Sequence, residues 1–98
     1  MPEDAETVAP RAYKVLVAND RVRVLEFRGD PGAKIEMHSH PNLVAVAIKD
    51  GKIKFTLADG PTIEAELTAG EAMYSEAIVH STEVLGTSEA HALLVELK

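Results

Sequence analysis

The chain has no cysteine and no tryptophan. Without thiols, disulfide bridges and thiolate metal sites are both excluded, while the compartment is left undecided. Aromatics are scarce: two Tyr and two Phe in 98 residues, so the core must come from Val, Leu, Ile and Ala. Basic residues are few and scattered. Ten Lys and Arg against sixteen Asp and Glu leave a formal charge of −6, which speaks against nucleic acid and anionic membranes as partners. Long apolar runs are missing as well: "NLVAVAI" (42–48) is the longest, far short of the ~20 residues that span a bilayer. The N-terminus lacks the basic-then-apolar order of a secretory leader, so a cytoplasmic protein is expected. No serine sits in a Gly-x-Ser-x-Gly setting, no glycine-rich loop opens a helix, and no carboxylate pair of defined separation stands out. Any chemistry must then lean on a metal.

Sustained helical periodicity is also absent, and short β-patterned runs take its place. These are "YKVLVA" (13–18), "RVRVLEFR" (21–28), "AKIEM" (33–37), "LVAVAIK" (43–49), "KIKFTLA" (52–58), "TIEAEL" (62–67), "EAMYSE" (71–76), "VHSTEVLG" (79–86) and "AHALLVEL" (90–97). About nine short strands at regular spacing indicate an all-β sandwich or barrel. Pro and Gly punctuate the pattern at Gly29-Asp30-Pro31-Gly32 and Asp59-Gly60-Pro61, both expected turns. Asp50-Gly51, flanked by strands, is expected to close a tight hairpin. The length suits one domain, expected over residues 13–98. Residues 1–12, with Pro2, Pro10 and the acidic "PEDAE", are expected to be a flexible, solvated lead-in.

Two of the four histidines, His38 and His40, stand two apart in "KIEMHSHPNLVAVAIKDG" (34–51). Alternate residues of a strand share a face, so both imidazoles can reach one cation, with Lys34 and Glu36 behind them if the strand runs regularly. His80 lies in a second strand–turn–strand unit.

Over roughly residues 20–97 the sequence resembles the cupins. Their first motif runs Gly, five residues, His-x-His, three or four residues, Glu, six residues, Gly. "GAKIEMHSHPNLVAVAIKDG" (32–51) matches it at Gly32, His38, His40 and Gly51, and "GEAMYSEAIVHSTEV" (70–84) supplies Gly70 and His80 of the second motif. The resemblance implies a double-stranded β-helix (a jelly-roll barrel), a dimeric assembly, and His38, His40 and His80 as ligands of one divalent transition ion (Fe, Zn, Ni, Mn or Cu). The motif glutamate, proline and asparagine are replaced here by Val44, Glu76 and Val84. A neutral three-histidine set suits borderline transition metals and suits magnesium or calcium poorly. Thiol dioxygenases are similar in using three histidines without the carboxylate.

Val44, Val46 and Ile48 are expected to share the cavity face, as are His80, Thr82 and Val84, making an apolar pocket for a small-molecule ligand. Glu36, Glu76 and Tyr74 are further candidate contributors whose roles the sequence leaves open. Met37 and Met73 read as core filler, and His91 as a structural histidine. Three functions follow: a metal-dependent, dioxygenase-like enzyme; a non-catalytic small-molecule-binding or sensing barrel, with or without metal; and a structural or partner-binding protein. A homodimer is expected, because the final strand, "YKVLVA" and "LVAVAI" are apolar on both faces and a small barrel has one inside.

Overall fold

Alternation of side chains along the chain is realised as nine strands: β1 (Tyr13–Ala18), β2 (Val22–Gly29), β3 (Lys34–His40), β4 (Leu43–Ala47), β5 (Gly51–Leu57), β6 (Thr62–Leu67), β7 (Ala72–Ser75), β8 (Ile78–Leu85) and β9 (Ala90–Leu97). One short helix, α1 (Ala5–Val8), precedes them. These elements come from a computed structural model, which describes residues 3–98.

The strands form two antiparallel sheets, β1-β2-β9-β4-β7 and β3-β8-β5-β6. Their inner faces meet in a core that includes Tyr13, Leu25, Phe27, Ile35, Ile53 and Val84. Burial of that apolar surface is the main force holding the sheets together. The expected all-β double-stranded helix is thus the observed architecture.

Two local expectations differ from the structure. Asp50-Gly51 closes no hairpin, because β4 lies in the five-stranded sheet and β5 in the four-stranded one. A type I′ turn needs positive φ at both central residues, and Gly51 does not have it, whereas Gly60 does at φ 114°. Gly60 instead serves such a connection, joining β5 to β6, and residues 48–50 carry the chain between sheets.

The described part of the N-terminal segment is folded rather than a loose lead-in. Asp4 caps α1, accepting from Thr7 N at 3.1 Å, and pairs through Oδ2 with Arg23 Nη1 at 2.7 Å. Ala5 is fully buried in the core, and Ser39 N donates to the Glu3 carbonyl at 2.9 Å. One small buried residue, one cap and one ion pair suffice to dock a segment that carries no periodicity of its own.

Candidate metal centre

β3 and β8 pair so that His38 and His80 lie directly opposite each other, with His40 two residues further along β3. Their three rings are buried, with centroids 4.9 to 5.2 Å apart. One ligand nitrogen from each falls within 4.8 Å of the others, a spacing that could hold a single ion.

Hydrogen bonds decide which nitrogens are free. His38 Nδ1 donates to the Glu36 carbonyl at 2.6 Å, and His40 Nδ1 donates to Glu96 Oε2 at 2.8 Å. Since carbonyl and carboxylate oxygens only accept, both imidazoles carry a proton on Nδ1, and in the neutral form each presents its Nε2 lone pair. The Tyr13 hydroxyl, 3.4 Å from His38 Nε2, is placed to donate to that lone pair. His80 stacks on Phe55 at 4.7 Å and 9°, and its Nδ1 is buried with no hydrogen-bond partner, as is Thr82 Oγ1. An unpartnered buried nitrogen beside imidazoles held in one tautomer fits a cation-binding cluster.

Electrostatics favour the neutral, metal-competent forms of His80 and His38. Burial, then the neighbouring His40 and His38, pushes the His80 pKa down to about 3. Burial also lowers that of His38, against the bond to Glu36. Glu96 is pushed up by burial, but the bonds from His40 and Arg23 outweigh this and hold it below the usual carboxylate value. Burial, and secondarily the Glu96 charge, raises the Tyr13 hydroxyl well above its ordinary value. A donor set of three clustered imidazoles fits a borderline transition metal.

Beside the imidazoles lies a cavity of about 300 Å³ whose lining includes His40, His80, Leu43, Ala45, Phe55 and Leu94. No Lys, Arg, Asp or Glu lines it. Ile63 of β6 and Met73 and Tyr74 of β7 also line it and are at least half exposed.

The other sequence expectations fall unevenly. His80, Thr82 and Val84 do share the buried face of β8. Glu36 does not join the site: a register shift between Ile35 and His38 turns Lys34 and Glu36 outward, and Glu36 contributes only its carbonyl. Val44, Val46 and Ile48 are not the cavity floor; Leu43 and Ala45 are, one residue out of phase. Glu76 is exposed and outside the three-histidine group. Met73 is a half-exposed residue of the cavity rim rather than core filler, and Tyr74, 58% exposed, sits beside it. His91 pairs with Glu26 Oε2 at 2.8 Å, apart from the cluster. Glu96, Arg23 and Tyr13 were missed. For Glu96 a signal existed: it continues the Ala92, Leu94 parity of β9, and those two residues line the cavity. Nothing local marks Tyr13, which the β1–β2 register brings in opposite Phe27.

The family model for the cupin domain matches residues 25–96. Among solved structures, a cupin domain from Bordetella pertussis Tohama I is similar with a TM-score of 0.81 and 24% identity, over 100% of this chain and 97% of that one. A conserved protein with a double-stranded β-helix domain from Klebsiella pneumoniae gives 0.69 and 22%, covering 87% and 74%. An RmlC-like cupin from Methanocaldococcus jannaschii gives 0.66 and 17%, covering 87% and 77%. At these identities the likeness is one of fold. No protein of curated function matches the sequence.

Proposed function

This chain belongs to the cupin-domain family, and from that premise we propose that it binds one divalent transition metal through His38, His40 and His80 and acts, dioxygenase-like, on a small, mostly apolar molecule. The observation that carries the reading is the cluster itself: three buried imidazoles with ligand nitrogens within 4.8 Å, opening on a cavity that no charged side chain lines. A redox-active ion held there would offer open positions for substrate and dioxygen, and zinc would instead supply an activated water.

The chain's own residues do the rest. Glu36 and Glu96 fix the tautomers of His38 and His40. Leu43, Ala45, Ile53 and Leu94 exclude water from the ligand's apolar body. A cavity of about 300 Å³ corresponds to roughly ten water volumes, hence to a ligand of about ten non-hydrogen atoms. With no Lys or Arg in the lining, the proposed ion is the one positive charge a ligand can meet, so a polar or anionic group is favoured at the imidazoles and an apolar body elsewhere.

A second reading, a non-catalytic binding or sensing barrel, draws on the same lining: it offers no carboxylate or lysine as acid–base partner. Oxygen uptake by the iron-reconstituted protein, assayed against thiols, diketones and phenols, separates the two; turnover supports the enzyme and binding alone the sensor. Metal analysis of freshly purified protein tests the common premise. Wild type is expected to hold close to one ion per chain and His80→Ala to lose most of it, whereas full occupancy in His80→Ala removes the three-histidine site.

The proposal includes a homodimer joined through the outer face of the five-stranded sheet, where Val17, Val24, Val95, Val44 and Tyr74 stand in register across β1, β2, β9, β4 and β7. It takes residues 13–98 as one barrel domain and the cytoplasm as the expected setting. Among the described residues no helix is long and apolar enough to cross a membrane, a fact that bears on helices alone.

A further inference from the structure

Glu96 is the one fully buried carboxylate among the described residues, and both of its oxygens are committed. Oε2 accepts from His40 Nδ1 at 2.8 Å. Oε1 accepts from Arg23 Nε at 2.9 Å and lies 2.7 Å from Arg23 Nη2. The remaining terminal nitrogen, Arg23 Nη1, reaches Asp4 Oδ2 at 2.7 Å. One chain of charge-assisted hydrogen bonds thus runs from the cap of α1 through β2 and β9 to the last residue of β3. Arg23 and Glu96 are direct cross-strand partners, so their contact is built into the sheet register and does not depend on a flexible loop.

Glu96 alone would set the tautomer of His40. The guanidinium adds a constraint on the carboxylate: two of its nitrogens on Oε1 leave Glu96 little freedom to turn away from the ring. Groups that hold a ligand's own hydrogen-bond partner tune metal affinity without touching the ion. Resting on the reading that the three imidazoles hold a transition metal, we infer that Arg23 is a positioning residue for that ion, acting through Glu96 on His40, and that Asp4 extends this control to the N-terminal segment. The coupling is reciprocal. An ion that fixes His40 also tightens the Glu96–Arg23–Asp4 chain, so metal loading holds residues 3–9 more firmly against β3.

Cobalt(II) alone serves as the probe, titrated against a competing chelator and followed by its visible spectrum. Arg23→Gln is expected to weaken Co(II) binding about 10- to 100-fold and to alter the ligand-field bands, with Arg23→Lys recovering part of the loss. Asp4→Asn keeps a capping side chain on a partly exposed residue, so it breaks the ion pair even if Arg23→Gln fails to fold. It is expected to cost a smaller, several-fold loss, and to abolish the protection from proteolysis that Co(II) confers on residues 3–9 in the wild type. If Arg23→Gln and Asp4→Asn lower the melting temperature of the metal-free protein but leave Co(II) affinity and spectrum within twofold, Arg23 is structural only and the inference is overturned. If His40→Ala binds Co(II) as tightly as wild type, the three-histidine reading itself fails, and the inference falls with it.

Discussion

A buried imidazole that refuses a proton ties stability to pH, and His80 is such a group. Its pKa is depressed to about 3, first by burial and then by the two neighbouring histidines, while in the unfolded chain it titrates near ~6.5. Between those values the unfolded chain binds more protons than the folded one. Stability therefore rises with pH across this window and is lost on acidification, at up to about 1.4 kcal/mol per pH unit for one such group. His38, lowered in the same direction, adds to the slope. Glu96, Asp4, Glu26 and Glu89 are also held below their ordinary values, and their stabilisation disappears lower still, as pH falls through the carboxylate range. Urea midpoints of chelator-treated protein between pH 7.5 and pH 5 thus isolate the histidines. The midpoint is expected to fall on acidification, and less so in His80→Gln; equal slopes in the two proteins would show that His80 is not buried in neutral form. A bound ion moves with the same sign, because protons compete for each ligand nitrogen.

At the scale of elements, a period of two places every strand but does not fix its phase. The spans of β1, β6 and β9 coincide with the apolar runs in the sequence, since alternation and turn residues are local properties. Phase is not local. The irregularity between Ile35 and His38 reverses which side of β3 faces inward, and that alone removes Glu36 from the site while leaving His38 and His40 in it. The same one-residue ambiguity exchanges Val44 for Ala45 on the cavity floor. Asp50-Gly51 misleads for a related reason: the dipeptide permits a hairpin, but the sheet each flanking strand joins is set by long-range packing. Gly29 shows such packing acting on a single position. It reads as part of a turn, yet it ends β2, and a Cβ there would come 2.8 Å from Val84 Cγ2 and 3.1 Å from the Phe27 ring. Val84 is 1% exposed and cannot easily yield. Gly29→Ala is therefore expected to destabilise by about 1–3 kcal/mol through overpacking. Val84→Ala in the same chain should recover part of that loss, a non-additivity that a urea-denaturation double-mutant cycle reads directly. Strict additivity would mean the two side chains do not meet.

For the molecule as a whole, the question is what covers the outer face of the five-stranded sheet. Ala92, Leu94 and Glu96 of β9 point inward, toward the cavity and His40, so Leu93 and Val95 point outward. Register then sets Val95 between Val24 and Val44, and Leu93 beside Val46. At the sheet's edges Val17 and Tyr74 are 48% and 58% exposed, and Ile48 beyond β4 is 41% exposed. A continuous apolar stripe of this kind marks an interface more often than a bare surface. On the same outward parity of β2 and β9 lies a polar group: His91 hydrogen-bonded to Glu26, with Arg28 paired to Glu26 and both Arg28 and Lys49 to Glu89. The half-exposed Arg28 and Lys49 pairs contribute little stability, but at the margin of an interface they favour one docking register over others. The expected outcome is a species of twice the 10.6 kDa chain mass in sedimentation. Two chains of charge −6 repel each other, so if apolar contact joins them, added salt should tighten the dimer by screening that repulsion. Val44→Glu and Val95→Glu, on the outer face and away from the imidazoles, should each give monomers that still bind cobalt. A wild-type chain that sediments at 10.6 kDa at high concentration and high salt would rule the assembly out, and would leave the three-histidine cluster, built within one chain, untouched.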